Sequence, residues 1–226
     1  MTSATQPARP GFVFYLGRAI LKPVLSLLYW PRVSGREQFP RTGAVLIVSN
    51  HLSMLDTVLI PSFAPRSVQF LAKASLFSSG IGRWFFTSIG AVPVHRETSS
   101  AAQAALEAGR DVLAAESVFV VFPEGSRSRD GRLYRGKSGA AWLALETGAT
   151  VVPVGVLGTS RARRDPETGR RDRIELRFGA PLDLSDLAGL PAGQARRETT
   201  ERMMAAIQAL TGQERVERFA EGSVGA

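Results

Sequence analysis

Residues 44–56 read AVLIVSNHLSMLD. The apolar run from Ala44 to Ser49 breaks off at Asn50-His51, the pattern of a short buried strand with a polar exit. An α/β sheet places its ligands just past the carboxyl ends of its strands, so His51 stands where such a sheet keeps an active-site residue. Asp56 follows five residues later. On a regular helix the two side chains would diverge by about 140°, so contact between them requires a turn across His51 to Asp56. With that turn, the carboxylate holds one imidazole nitrogen and leaves the other as a general base. Without it, the pair are surface or capping residues.

Outward from this stretch, short apolar runs alternate with helical patterns. Val68 to Ala72, Ala91 to Val94, Val118 to Phe122 and Val151 to Val156 are bounded by Gly, Pro, Asn or charge and read as further buried strands. Arg173 to Phe178 alternates like a half-exposed strand. Helices are predicted over Ser99 to Glu116, with Ser at the cap, over Gly139 to Thr147, ending at Gly148, and over Ala195 to Leu210, ending before Gly212. The fold is therefore α/β, a sheet flanked by helices. VSGREQFPRTG, from Val33 to Gly43, is turn-rich, and RARRDPETGRRDR, from Arg161 to Arg173, is a charged loop.

Of 226 residues, 44% are hydrophobic and 21% charged, the balance of a globular chain rather than a disordered or collagenous one. There is no cysteine, which excludes disulfides, thiolate metal sites and cysteine nucleophiles. His51 and His95 are the only histidines, so a His-rich metal site is excluded too. The formal charge of +8 draws the surface to something anionic: nucleic acid, acidic lipid or a phosphorylated substrate.

Met1 to Pro10 read as a frayed terminus rather than a signal peptide. From Phe12 to Trp30 runs FVFYLGRAILKPVLSLLYW, a helix of about 28 Å, nominally long enough to cross a bilayer's hydrocarbon. Arg18, Lys22 and Ser26 form one polar stripe along it, and Pro23 is expected to kink or interrupt it. Such a segment suits the membrane interface, with Tyr15, Tyr29 and Trp30 at headgroup level and Arg18 and Lys22 toward anionic lipid; a core helix of a soluble domain is the other reading. The expected division is an interfacial motif over residues 1–40 and an α/β domain over 41–226.

A second constellation follows the run Val118 to Phe122: Phe122-Pro123-Glu124-Gly125-Ser126-Arg127-Ser128. An acid, a glycine that permits close backbone approach, hydroxyls and an arginine at a strand end suit the grip of a phosphate, or make a polar turn. Gly90 to Arg96 (GAVPVHR) offers another arginine after a strand, and Val152-Pro153-Val154 punctuates a fourth.

In this order, NHxxxxD, Gly-to-Arg, FPEGSRS and VPV resemble the four motifs of the glycerolipid acyltransferase family, which includes bacterial 1-acyl-glycerol-3-phosphate acyltransferases; the resemblance runs from about Gly43 to Pro181. It implies a mixed, mostly parallel sheet flanked by helices and an interfacial N-terminal helical motif. It also implies that His51 deprotonates an acceptor hydroxyl, that Asp56 orients His51, and that Arg96 and Arg127 bind the acceptor phosphate, with Glu124, Gly125 and Ser126 shaping the loop. Val152, Pro153 and Val154 would lie on the acyl-donor side. Two positions depart from the pattern: Ser126 replaces the more familiar Thr, and His95 stands where an acidic residue is common.

The reaction so implied moves a fatty acyl group from coenzyme A or acyl carrier protein to a lysophosphatidate-like acceptor, giving phosphatidic acid, with glycerol-3-phosphate or another lysolipid as the alternative acceptor. No metal or bound cofactor is expected, and the protein is expected to sit peripherally on the cytoplasmic face of the cell membrane, among anionic lipids. The chain has no G-x-S-x-G elbow and no cysteine, so a covalent acyl-enzyme lacks an obvious nucleophile and direct transfer remains.

Two rival classes need an answer. Gly131 to Ser138 (GRLYRGKS) spells a P-loop, but Phe122 is separated from Gly131 by PEGSRSRD, where a P-loop strand would run directly into the glycine. Lys137 there adds positive charge beside the phosphate loop or begins the next helix. For nucleic acid, the Arg161 to Arg173 loop carries Asp165, Glu167 and Asp172 and lacks aromatics for base stacking. No nucleic-acid partner is expected.

Overall fold

Val45–Ser49 is buried at every position, the reason its sequence runs apolar without alternation: both faces of this strand are covered. A computed structural model of the chain describes residues 12–88, 90–94, 101–160 and 172–220. Its helices and strands follow in the order α1 (Phe12–Tyr29), β1 (Arg32–Ser34), β2 (Val45–Ser49), α2 (Asp56–Phe63), β3 (Val68–Lys73), α3 (Gly80–Ser88), β4 (Ala91–Val94) and α4 (Ala101–Ala114). Then come β5 (Val118–Val121), β6 (Leu133–Tyr134), α5 (Gly139–Thr147), β7 (Thr150–Leu157), β8 (Glu175–Phe178), α6 (Ala192–Thr211) and β9 (Arg215–Val216).

Seven of the strands form one sheet in the order β1-β8-β7-β2-β5-β3-β4, while β6 and β9 pair separately. β2 lies between β5 and β7, parallel to both. Only β7 and β8 run antiparallel among the described strands of this sheet, which is thus mixed and mostly parallel. Side chains alternate along β2: Val45 and Ile47 face a core with Leu25 of α1 and Leu59, Ile60 and Phe63 of α2. Leu46 and Val48 face Leu113, Leu143, Met203 and Ile207, from α4, α5 and α6. Each fully buried side chain of this size contributes roughly 1.5–3 kcal/mol, so a one-residue slip of β2 would exchange the two sets and is strongly disfavoured.

Several sequence expectations are corrected. α1 is continuous through Pro23 rather than interrupted there. Arg18 of its polar stripe turns inward: its guanidinium donates to the carbonyls of Ala64 and Arg66 at and just past the C-terminal end of α2, where helix carbonyls lack partners of their own. Arg32–Ser34, in a stretch assigned to turns and to the N-terminal motif, is an edge strand pairing β8, so the sheet unit starts before residue 41. α6 begins at Ala192, directly after Pro191. α2 and α3 were not legible; α2 contains Pro61 and is buried nearly all round, which erases the one-sided apolar pattern that marks a surface helix. Met1 to Pro10, the Ser99 cap, His95, Arg96 and residues 161–171 lie outside the described residues.

Candidate active site

The register of the sheet brings three strand ends together. Val48 of β2 stands beside Val121 of β5 and Pro153 of β7, and all three strands run the same way. The chain leaving β2 into Asn50-His51, β5 into Phe122–Ser128 and β7 into Gly158-Thr159 therefore emerges on one edge. Asn50 is fully buried, and its carboxamide donates to the Val156 carbonyl and accepts from the Val156 N–H, both at 2.8 Å. That pair locks the end of β2 to β7 immediately before the histidine.

The turn required by the His51–Asp56 spacing is present. His51 Nδ1 lies 2.9 Å from Asp56 Oδ2, which also accepts the N–H groups of Leu52 at 2.7 Å and Ser53 at 2.8 Å. Asp56 opens α2, where a carboxylate is favoured by the helix dipole. Its other oxygen accepts the Thr159 hydroxyl at 2.5 Å. The Asp56 side chain is wholly buried and the His51 side chain is 12% exposed. Facing a carboxylate, Nδ1 is the natural donor, and in the neutral ring that leaves a lone pair on Nε2. The ring is also stacked on Phe122, centroid to centroid 4.0 Å at 16°.

The FPEGSRS segment is tied to the same histidine from both sides. Glu124 Oε1 accepts the His51 N–H at 3.1 Å, and the Ser128 N–H donates to the His51 carbonyl at 2.7 Å. Glu124 Oε2 accepts the Tyr134 N–H at 2.9 Å. Burial pushes the Glu124 carboxyl up to about 7, against the pull of those two N–H groups and with help from the charges of Asp130 and Asp56. Gly125 has φ +76, and a Cβ there would meet the Lys137 side chain at 2.8–3.1 Å, so the lysine stem lies across this glycine. Ser126 Oγ is buried without a partner among the described residues. Arg127 and Lys137 are exposed, and among the described residues neither forms an ion pair. Imidazole and exposed cations thus stand on adjoining loops, an arrangement with the chemistry a base and an anion site would need.

Not every expected site residue joins them. Val152 and Val154 are fully buried in the core and Pro153 lies within β7 beside Val48, so these side chains face neighbouring strands and helices. GRLYRGKS is no phosphate cradle. Its Leu133, Arg135 and Lys137 N–H groups donate to the carbonyls of Glu214, Arg218 and Pro123, leaving few to meet an anion. Among the described residues no group of three or more His, Asp or Glu side chains could hold a metal ion.

Sequence reading missed Asn50, Phe122 as a ring partner, Tyr134 and Thr159. The rule that found His51 would have found Thr159: it too stands just past the carboxyl end of a buried apolar run.

The chain's sequence and fold recur elsewhere. The 1-acyl-sn-glycerol-3-phosphate acyltransferase LPAT1, chloroplastic, of Arabidopsis thaliana is 31% identical over 69% of this chain and 44% of its own length. The 1-acyl-sn-glycerol-3-phosphate acyltransferase of Bacillus subtilis is 28% identical over 84% of this chain and 92% of its own. The chain spans about half the length of the plant relatives it matches first. The crystal structure of the 1-acyl-sn-glycerophosphate (LPA) acyltransferase PlsC from Thermotoga maritima superposes with a TM-score of 0.62 at 23% identity, covering 87% of this chain and 82% of that one, and shares the fold. The family model described as Acyltransferase matches residues 31–157, a span holding β2, the His51–Asp56 turn and the Glu124–Arg127 loop. On that match, the chain belongs to the acyltransferase family.

Proposed function

We propose that the protein transfers a fatty acyl group from a thioester, acyl-CoA or acyl carrier protein, to the free hydroxyl of 1-acyl-sn-glycerol-3-phosphate, giving phosphatidic acid. The observation that carries this reading is the His51–Asp56 contact of 2.9 Å, with no partner on Nε2 among the described residues and the Arg127 loop bonded to the His51 backbone. His51 Nε2 takes the acceptor's hydroxyl proton as the oxygen attacks the thioester carbonyl. The new C–O bond forms, the tetrahedral intermediate collapses with loss of the C–S bond, and His51 returns the proton to the departing thiolate. Asp56 holds the ring in place and balances its charge while it is protonated. Arg127, Lys137 and Arg96 bind the acceptor phosphate, with Glu124, Gly125 and Ser126 setting the loop. No metal or bound cofactor takes part. The relatives' names support the acceptor; glycerol-3-phosphate or another lysolipid is the alternative.

Purified protein in mixed micelles with palmitoyl-CoA and 1-acyl-sn-glycerol-3-phosphate tests this directly. His51→Ala is expected to lower phosphatidic acid formation by about 10²- to 10⁴-fold, the span of general-base catalysis, with Tm little changed. A variant that keeps the wild-type rate removes the mechanism.

We place the reaction at the membrane surface, peripherally and on the cytoplasmic face; the outer side of α1 supports the surface location. Phe12 and Leu27 of α1 and Trp30 just after it are 76–80% exposed, and Ile81 and Trp84 of α3, which packs beside α1, are exposed as well. Soluble chains rarely leave so much apolar surface open. Among the described residues no helix is long and apolar enough to cross a membrane, which suits a segment lying in the interface. Sedimentation with phosphatidylglycerol-containing vesicles is expected to retain the wild type and to lose most of an Ile20→Glu/Leu27→Glu variant; equal retention counts against the placement.

A further inference from the structure

The strand carrying Val152-Pro153-Val154 reaches the site through a residue beyond the motif. We propose that Thr159 is a positioning residue, whose hydroxyl locks the Asp56 carboxylate in the one orientation from which it holds His51. The inference rests on the reading of His51 as the base and extends it to a third residue.

Asp56 has no exposed surface, so every oxygen lone pair it presents must find its donor inside the protein. Oδ2 takes three: His51 Nδ1–H, Leu52 N–H and Ser53 N–H. Oδ1 has the Thr159 hydroxyl at 2.5 Å, a short charge-assisted bond. Remove it, and a buried carboxylate oxygen is left with no donor among the described residues. The carboxylate then gains by rotating about Cβ–Cγ to share its three remaining donors, and that rotation carries Oδ2 off the line to Nδ1. Thr159 is only 2% exposed, so bulk water cannot stand in for the hydroxyl.

Thr159 is itself held so that it cannot follow a moving aspartate. Gly158, one residue before, has φ +75, and a Cβ there would collide with the Arg173 carbonyl, so the chain is pinned at this turn. Two residues further back, Val156 is clamped through both its N–H and its C=O by Asn50. Threonine's branched Cβ narrows χ1 as well. The consequence is a chain of fixed groups running from β7 through Thr159 and Asp56 to His51. The buried Val-Pro-Val strand serves the chemistry by carrying this hydroxyl rather than by touching a substrate.

Thr159→Val and Thr159→Ser separate this role from simple packing, measured with palmitoyl-CoA and 1-acyl-sn-glycerol-3-phosphate beside His51→Ala. The Val variant, close in shape but without the hydroxyl, is expected to lose about 10- to 100-fold in kcat, with KM for the acceptor within about two-fold of wild type. The Ser variant restores most of the rate. Independently of turnover, the downfield proton resonance of His51 Nδ1–H is expected to persist in the Ser variant and to shift or broaden in the Val variant. If Thr159→Val does not fold, Thr159→Ala takes its place against Ser, with the same expectation. Wild-type kcat and an unmoved resonance in the Val or Ala variant, with His51→Ala inactive, overturn the role of Thr159 and leave the base intact. Full activity in His51→Ala overturns the base reading itself and the role of Thr159 with it.

Discussion

The two sides of the site are built on opposite principles. On the base side almost nothing is exposed: Asp56 accepts hydrogen bonds on both oxygens, Asn50 is paired through both ends of its amide, and His51 is held by its ring and by both of its backbone polar groups. On the anion side, Arg127 and Lys137 stand in solvent, without ion pairs among the described residues. Buried polar groups without partners are costly, so the base side must be finished by the fold itself. A cation already paired to a protein carboxylate would have to give up that partner before taking a phosphate. Leaving these cations hydrated keeps them ready for a ligand. On the proposed mechanism, precision of placement is therefore a property of the base side, and affinity a property of the anion side.

Substitutions matched across the two sides test that division. Asp56→Asn keeps the size of the side chain but offers His51 and its neighbours a mixed donor and acceptor, so the ring loses its fixed tautomer. The expected loss is in kcat, about 10²- to 10⁴-fold, with the KM for acceptor little changed. Arg127→Ala is expected to do the reverse, raising KM for the phosphorylated acceptor by about 10-fold or more while kcat falls much less, the loss of one charge-assisted contact. Steady-state kinetics in acceptor concentration read both. If Asp56→Asn mainly raises KM, or Arg127→Ala mainly lowers kcat, the two sides are not divided in this way.

How much of this was legible follows from where each signal resides. Strand ends are written locally, in an apolar run and the polar residue that stops it, so β2 and His51 could be read from six or seven letters. The five-residue gap to Asp56 could be turned into a geometric demand, a turn in place of helix, and the structure meets it. Arg18 was misdirected for the opposite reason. A polar stripe on a helix marks a face but not what lies against it, and the carbonyls of Ala64 and Arg66 that receive Arg18 are 46 and 48 residues away. The partner of Thr159 was hidden for the same reason, since Asp56 is 103 residues away and is brought to it by the sheet, although the strand end before Thr159 could have marked its position. β1 and β6 escaped notice because strands of three and two residues carry too few letters for a period to show.

Glu124 spans the two sides, one oxygen on the His51 N–H and the other on the Tyr134 N–H, in the strand just before Lys137. Its carboxyl holds its proton up to about 7 in the folded protein against 4.5 as the ordinary value. Between those values the folded chain binds more protons than the unfolded one, so raising the pH through that window lowers stability; below it the contribution is fully present, above it fully lost. Glu124→Gln cannot titrate. Groups common to both proteins cancel in the comparison, so urea midpoints taken on either side of the window isolate this one carboxyl. The wild type is expected to lose stability with rising pH by more than the variant does. The variant starts lower, because its amide N–H₂ must face one of two backbone N–H groups that both need an acceptor. Equal slopes would mean that Glu124 stays charged at its ordinary pH despite burial, held there by those two N–H groups alone. In that case the clasp that Glu124 makes between the His51 turn and the Tyr134 strand does not depend on pH across this window.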